Sequence, residues 1–458
     1  MVVLDTSVAN VALPAIQKAL GFDTSALQWI ITAYALTFGG FLLLGGRAAD
    51  LFGRRRVLLT GIAGFTITSL LIGIAQSPVE IIAFRALQGM MAALMSPSAL
   101  SIVLTTFREG KARNTAIGIW TTVAAGGAAT GLLVGGLLTQ YLNWRWNFFI
   151  NIPVGILTII GIVRFVPKHE STASHRHLDL PGAALVTAGL MTSVYALTEA
   201  PKWGWLSTNT LGLLAIAVTL LVLFLRNESR ASHPLVPLSI FKIRNVSGAN
   251  ALVMPLMAGM LGMFFLLSLY VSTAMKYTPV ETGLSFLPFP IVLAIVSNIV
   301  PRFIIPKLGF KRILVVGTLL VSLGLIWLSQ LTLTSSYVVG ILPAILLISA
   351  GMGLSFVSVT IAATSGVPSH EAGLASGLLN TSQQMGGALG LAVLSGVATS
   401  FAESSKESSP VAALLRGDKA AFAAASIITL VAMAVAIVVV RDKKRPDQNK
   451  ISEPVVAH

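Results

Sequence analysis

Between two apolar runs, one ending near Leu44 and the next starting near Val57, the chain carries the short polar stretch GGRAADLFGRRRVLL, residues 45–59. It is too short to be a domain. Flanked by runs long enough to span a bilayer, it reads as a turn at a membrane surface. Lys and Arg in short loops mark the cytoplasmic side, so Arg54, Arg55 and Arg56 place this turn inside the cell. Gly46 and Gly53 permit close backbone approach and a tight bend. Asp50 is the one acid beside the cationic cluster. The plainer alternative is a generic basic turn between two membrane helices.

Composition agrees with a bilayer environment. Charged residues are 10% of the chain and hydrophobic residues 55%, against roughly 25% and 45–50% in soluble domains. A net charge of +14 could suggest nucleic acid, but the placement of the charge argues otherwise. Loops read alternately in and out from the arginine turn put Lys18, Arg145, Lys202, Lys276, Lys406, Arg416 and Lys419 outside, with Arg85 inside an apolar run. Most other basic residues fall on the inner side, including Arg441, Lys443, Lys444 and Arg445. That is the positive-inside bias, and no nucleic-acid partner is expected. With no cysteine, neither a disulfide framework nor a thiolate metal site can form. No cleavable signal peptide is expected.

A spanning helix needs about 20 mostly apolar residues. The first run, 1–20, carries Asp5 and Asn10, and its apolar part opens without a basic flank. A free ammonium inside hydrocarbon is costly, so further residues are expected upstream. Runs follow at about 28–46, 56–76, 78–107 and 114–142, with the inner turn REGKAR at 108–113. The aromatic-rich outer turn NWRWNFFINIPVG (143–155) leads into the sixth run, with Trp144, Trp146, Phe148 and Phe149 suited to the interfacial belt. The inner loop 167–179 holds His169, His175 and His177. Without an acid or cysteine arranged around them, they read as a solvated loop rather than a metal site. Two runs at 181–197 and 206–225 meet at Trp203 and Trp205, and an inner linker, 226–245, follows. Six more runs are placed at about 246–275, 280–305, 311–331, 337–364, 372–401 and 420–440. Fourteen runs, an even number, put both termini in the cytoplasm. The expected division is 1–166, a six-helix bundle; 167–245, two inserted helices and a linker; 246–441, a second six-helix bundle; and 442–458, a cytoplasmic tail.

The halves look related. PRFIIPKLGFKRIL (301–314) occupies in the second half the place of the arginine turn in the first. Aligning Gly309 with Gly53 sets Lys311 and Arg312 opposite Arg55 and Arg56, and Pro306 opposite Asp50, a copy that has lost its acid.

Few residues can carry chemistry. Asp5 is the clearest acid inside a spanning run. The other acids considered fall in turns: Asp23, Glu80, Glu281, Glu403 and Glu407 outside, Glu109, Glu170, Asp179, Glu228 and Glu371 inside, with Glu199 at an outer helix end. From 246 to 440 no acid is expected well inside a span, so a dication would find only Asp5 as a fixed counter-charge. A charge at the bilayer centre costs about 2.5–3.5 kcal/mol on insertion scales. Such an acid usually faces a polar cavity and can take a proton; capping a frayed helix is the alternative. Arg85 lies about 8–10 Å below the outer start of the fourth run. Gln88, Gly89 and Ala92 share its face, and snorkelling to headgroups is the alternative there. In GAATGLLVGG (127–136), Gly127, Gly131 and Gly135 recur every four residues with Gly136 beside them, a spacing that lets helix backbones approach. Tyr34, Asn380 and Gln384 are cavity candidates on polarity alone.

These motifs resemble the major facilitator superfamily. G-x-x-x-D-x-x-G-R-R at 46–55 resembles its signature loop between helices 2 and 3, with Leu51 where a basic residue often stands. AFRALQG resembles its helix 4 signature R-x-x-Q-G, whose arginine is implicated in proton transfer. LDTSVANVALP, NWRWNFFINIPVG and GLASGLLNTSQQMGGALGLAVL (373–394) are similar to the fourteen-helix drug:proton antiporters of the EmrB/QacA type. The glycine spacing at 127–136 matches the antiporter motif of helix 5, with Leu132 where its proline is expected. The resemblance implies an all-α polytopic membrane protein: two six-helix bundles, related as parallel repeats, plus two inserted helices. It places the substrate site between the halves near the midplane, proton coupling on Asp5 and Arg85, and a conformational-switch loop on Gly46, Asp50, Gly53, Arg54 and Arg55. Asp50 is expected to interact with the start of helix 13, near 369–373, and so hold the outward-open state.

The function expected is therefore proton-driven export of drugs or other amphipathic organic compounds across the bacterial cytoplasmic membrane. The partners expected are a small amphipathic substrate, protons and the bilayer, with the chain a monomer. No cofactor is expected, the proton gradient being the energy source; no Walker-type loop suggests ATP. A dedicated exporter of one metabolite is the alternative within transport. A non-transporting sensor or scaffold is the alternative outside it. A membrane enzyme is disfavoured, because the spans hold no second carboxylate beside Asp5, no metal cluster and no nucleophile–base pair.

Overall fold

The computed structural model describes residues 1–106, 111–166, 179–231, 234–236, 238–367, 372–404 and 409–441. The side chain of Asp50, the turn bearing Glu109, the loop bearing Glu170, His169, His175 and His177, residues 368–371 with Glu371, the stretch with Lys406 and Glu407, and the tail 442–458 lie outside that description. So does the expected contact of Asp50 with 369–373.

Among the described residues the chain is helical, without strands. The first half holds α1 (Val2–Leu20), α2 (Trp29–Phe52), α3 (Arg54–Ile74), α4 (Pro78–Thr106), α5 (Lys111–Tyr141) and α6 (Trp146–Phe165). Next come α7 (Leu180–Trp203) and α8 (Thr208–Arg230). The second half holds α9 (Arg244–Thr273), α10 (Pro279–Ile299), α11 (Phe310–Leu328), α12 (Tyr337–Thr364), α13 (Ala372–Glu403) and α14 (Pro410–Val438). Eleven of the described helices are long and apolar enough to cross a membrane. Several expected runs are broken rather than straight. In α10, Pro288 begins a new helical segment after Phe286, and a π-turn at Val300–Ile304 precedes a short helix, Ile305–Leu308. Proline removes a backbone donor and π-turns absorb the mismatch. The start of α10 is fixed by Thr278, which forms a reciprocal capping box with Glu281 ahead of Pro279.

The arginine turn is tighter than its sequence suggests. α2 runs through Gly46 and the backbone of Asp50 as far as Phe52, and α3 starts at Arg54. Gly53 alone makes the turn, with φ 92° and ψ 126°. Gly46 has only the Pro97 side chain near its missing Cβ, at 3.6 Å. The close approach belongs to Gly45, whose Cβ would meet the Ala93 carbonyl oxygen. Arg55 donates from Nη2 to the Val163 carbonyl at 2.8 Å, covering the C-terminal end of α6.

The repeat is visible in the backbone. Gly309 turns the chain between Leu308 and α11 with φ 77° and ψ 159°, as Gly53 does in the first half. α1 presses Leu4 and Ser7 against Gly131, and Val8 against Gly135. α9 presses Met254 against Gly386 and Ala258 against Gly390. Both pairs of glycines are four residues apart, and so are the residues they receive. Hydrocarbon offers no hydrophobic drive for helix association, so close packing at small residues takes that role. The halves join along two seams. In one, Gly136 of α5 lies against the backbone of Pro279 and Val280, and Gly283 of α10 against the Leu132 carbonyl. In the other, Gly39 of α2 lies against the Gln384 side chain of α13.

The inserted pair is not an appendage. α7 lies along the second seam, where Thr187 meets Gly40 and the Leu197 carbonyl meets Gly396; α8 packs behind it through Leu220 and Leu221 on Gly189. Of the spanning windows, α9 is 72% buried and α8 only 11%, which puts α9 at the centre and α8 at the rim.

Two expectations are corrected. Trp144 and Phe148 are core residues, 6% and 0% exposed, rather than members of an interfacial belt; Trp146 is exposed. The final helix begins at Pro410, not near 420, so Asp418 lies inside it and is 1% exposed. The second half therefore does hold an acid within a helix.

The positive φ at Gly53 and Gly309 sets a test. Gly53→Ala and Gly309→Ala should each lower stability by about 1–3 kcal/mol, whereas Gly46→Ala should be near neutral. Thermal unfolding in detergent reads this; a Gly53→Ala protein melting with wild type would refute the turn geometry.

Candidate functional site

The first half closes around one buried ion pair. Asp5 is 0% exposed on α1, and Arg85 is 0% exposed on α4. Arg85 Nη1 donates to Asp5 Oδ2 at 2.6 Å. The other carboxylate oxygen accepts from Gln88 Nε2 at 3.0 Å and from Asn151 Nδ2 at 2.8 Å. Gln88 also donates to Ser69 Oγ at 2.8 Å. Arg85 donates from Nε to the Ile30 carbonyl at 2.8 Å and from Nη1 to Gln88 Oε1. Its guanidinium lies 4.3 Å from the centre of the Tyr34 ring and 5.9 Å from that of Phe148, within the reach of cation–π attraction.

Five helices thus converge: α1, α2, α3, α4 and α6. Their register follows from local sequence. Arg85 and Gln88 are three residues apart and share one face of α4. Ser69 lies five residues before the end of α3 and Arg85 seven after the start of α4, both about 7–11 Å deep at the helical rise. Among the described residues α5 contributes no side chain to the pair, but its glycines admit α1: Gly131 and Gly135 touch the turns on either side of Asp5, while Gly127 sits more loosely, 3.9 Å from Leu4 N. A carboxylate with three charge-assisted or amide donors is held in position as well as in charge. Removing one member of a buried pair costs about 3–5 kcal/mol, because the other is left uncompensated. Arg85 has partners besides Asp5: the Ile30 carbonyl, Gln88 Oε1 and the Tyr34 face.

The structure brings Asp5, Arg85 and Tyr34 together. Asn380 and Gln384 lie elsewhere, on α13, Asn380 exposed and Gln384 half-buried against Gly39. Gly46, Gly53, Arg54 and Arg55 form the turn at the opposite end of α2, away from the pair. Among the described residues two cavities stand out. One, of about 280 Å³, is lined by Phe265, Leu269, Thr399 and Asp418 among others. The second, of about 180 Å³, lies where Gly40, Val186, Phe224, Leu378 and Thr381 meet.

Sequence reasoning missed Asn151, Ser69 and Gln28. Asn151 stands in NWRWNFFINIPVG, and an asparagine opening an apolar run was a usable signal. Gln28, 0% exposed, donates to Thr198 Oγ1 of α7 at 2.9 Å and accepts from Ser395 Oγ of α13. Nothing in its own neighbourhood of sequence announces that fork, since both partners are far away in the chain.

Comparison with known proteins agrees with this architecture. The sequence pattern of the Major Facilitator Superfamily matches residues 1–391. The puromycin resistance protein pur8 of Streptomyces alboniger is 43% identical over 403 residues, 87% of this chain and 79% of that protein. The cephamycin export protein CmcT of Amycolatopsis lactamdurans is 40% identical over 397 residues, 86% and 82% of the two chains. Among solved structures, a peptide transporter POT in complex with sulfate superposes with a TM-score of 0.66 at 16% identity, over 95% of this chain and 92% of the other. At that identity the likeness speaks for the fold alone. The helical bundle, its internal repeat and these matches together identify the chain as an integral membrane protein of the major facilitator superfamily, a family of transporters and not of enzymes.

Proposed function

We propose that this chain is a proton-coupled antiporter that exports amphipathic organic compounds across the bacterial cytoplasmic membrane by alternating access. In this reading all fourteen helices α1–α14 span the bilayer, both termini are cytoplasmic and the arginine turn faces the cytoplasm. Residues 1–166 and 246–441 are the two moving bundles, 167–245 the inserted pair with its linker, and 442–458 the cytoplasmic tail. The chain acts as a monomer without cofactor. The relatives named as resistance and export proteins support the direction of transport. The observation that carries the reading is the Asp5–Arg85 pair, fully buried and held by Gln88 and Asn151.

The chemistry is a single protonation. A proton arriving at Asp5 converts carboxylate to carboxylic acid, and the ion pair becomes a hydrogen bond. Arg85 keeps its charge and is retained by the Ile30 carbonyl, Gln88 Oε1 and the Tyr34 face. α1 is then less tightly tied to α4 and α6. Since α1 bears on the Gly131–Gly135 face of α5 and α5 bears on α10 through Gly136, loosening α1 reaches the seam between the halves through direct contacts. One proton entering releases about 2.3 kcal/mol per 100 mV, enough for somewhat more than a tenfold gradient of a neutral substrate. The neutral carboxyl also crosses the closing, dehydrated state at lower cost than the carboxylate.

Asp5→Asn should fold, since amide and protonated acid have similar shape and both hydrogen-bond, but it should build no substrate gradient. Asp5→Glu should retain partial activity with a displaced pH optimum. Purified protein in vesicles under an imposed pH gradient tests this; pH-driven uphill transport by Asp5→Asn at the wild-type rate removes Asp5 from the mechanism.

Arg85→Gln leaves Asp5 buried without its counter-ion and should lower stability by about 3–5 kcal/mol. Arg85→Gln combined with Asp5→Asn should recover a good part of that loss while remaining inactive. Equal melting temperatures for the single and double variants would show that the pair is not energetically coupled.

Gly136→Val would drive its side chain into backbone, with Pro279 O 2.7 Å and Val280 Cα 2.9 Å from the Cβ position. The seam between α5 and α10 should open toward the outside. Maleimide labelling of Val280→Cys, in a chain with no natural cysteine, should accelerate several-fold in that background. Unchanged labelling would mean that the seam does not gate access.

A further inference from the structure

We propose that the cavity around Asp418 is a second binding site, taking a singly charged amphipathic organic cation at the outer end of the protein. The direction implied, an outward station on the export route, rests on the function proposed above; the site itself rests on the cavity.

Asp418 belongs to α14, and Gly417 beside it lets α14 approach α13 closely, since a Cβ there would meet the Ala398 carbonyl oxygen. The carboxyl group is 1% exposed, and among the described residues neither of its oxygens has a hydrogen-bond partner. It lines the cavity of about 280 Å³. Thr399 Oγ1, on the wall supplied by α13, is likewise buried and without a partner. Buried polar groups are normally paired, and an isolated buried carboxylate is among the costliest groups to leave so. Two unsatisfied polar groups lining one cavity can together recognise a polar or charged ligand.

The lining says which ligand. Asp23, Glu403 and Asp418 supply three carboxylates against the one ammonium of Lys202. Lys202 is already engaged, 3.1 Å from Asp23 and 3.6 Å from Glu199. Arg416 is exposed and Lys419 half-buried on α14 itself. Tyr270, facing from α9, gives its hydroxyl proton to the Thr332 carbonyl at 2.7 Å. A lining of three acids with its one ammonium already engaged suits a cation. Phe265, Leu266, Leu269 and Leu414 make the remainder of the wall apolar. The volume falls just below the roughly 300–1,000 Å³ of small-molecule sites, so the cation is a compact one. One deep carboxylate with the other acids toward the exposed rim matches a single charge carried on an apolar body. A divalent substrate would also meet a second fixed anion here, contrary to the expectation that Asp5 stands alone.

The 458 residues hold no cysteine, which allows a direct test. Thr399→Cys places one thiol in the cavity wall, to be alkylated by a membrane-impermeant maleimide with benzyltrimethylammonium present or absent. The cation should slow alkylation at least fivefold. Asp418→Asn, which replaces an unpartnered buried carboxyl group by an amide of similar shape and so should fold, should abolish the protection; Asp418→Glu should restore it in part. Neopentylbenzene, the neutral carbon isostere, should protect equally whether or not Asp418→Asn is present. Asp5→Asn should leave the protection intact, so a failure of proton-coupled export shows in vesicles and not here. Equal protection by the cation with and without the Asp418 carboxylate, or no protection by the cation when Asp418 is intact, would overturn the site; the second result would leave Asp418 a protonated acid serving packing alone.

Discussion

The first bundle depends on a charge pair that the bilayer would not tolerate unpaired. Asp5 and Arg85 come from helices far apart in sequence, and each makes the burial of the other possible. Their contact requires α1 to sit between α4, α5 and α6. Gly131 and Gly135 allow that position, and Asn151 and Gln88 complete the carboxylate shell. A bundle packed by shape alone would accept small shifts in register. The pair does not, because a shift of one residue turns Asp5 about 100° away from Arg85. Electrostatics thus sets the register and glycine packing accommodates it.

The second bundle shares the packing and lacks the pair. Met254 and Ala258 of α9 meet Gly386 and Gly390 of α13 as α1 meets α5, yet α9 has no acid at all. Its buried acid lies on α14 instead, at Asp418, with no hydrogen-bond partner among the described residues. Duplication accounts for the common backbone scheme, since steric fit between helices is a property of both halves. Charge placement is not bound by that scheme, because every additional buried charge has to be compensated.

Much of this was legible in the residues, for physical reasons. Apolar runs give the helices, because the bilayer demands internal hydrogen bonding over a fixed length. Gly53 and Gly309 align because a one-residue turn at positive φ admits little else. Asp5 and Arg85 stood out because charges within spans are rare. The reading failed where composition blurs an edge. Asp418 sits in LLRGDKAA, so hydropathy moved the start of the last helix past it, whereas the helix begins at Pro410. Trp144 and Phe148 looked interfacial by type, but their burial depends on α1, α4 and Arg85, which no local window contains. The join between α7 and both halves was invisible for the same reason: Gln28, Thr198 and Ser395 are distant in the chain and unremarkable singly.

That join bears on how the halves can part. Where α2, α7 and α13 meet, the polar contact is the Gln28 amide, shared between Thr198 and Ser395. Near the exposed rim, Lys202 and Asp23 add an ion pair, and Trp205 donates to Ser400 at 3.2 Å. These are neutral hydrogen bonds and one solvent-screened pair. A neutral bond contributes about 0.5–1.5 kcal/mol net, and an exposed pair roughly 0.2–1 kcal/mol. Water entering an opening seam can replace each of them. The Asp5–Arg85 pair is of another kind, buried within one bundle and not between two. The strong interaction therefore lies inside one bundle, while the polar contacts described at this seam are weak and exchangeable for water. A transporter built the other way, with its buried ion pair across the seam, would be trapped closed by the several kcal/mol needed to separate the charges.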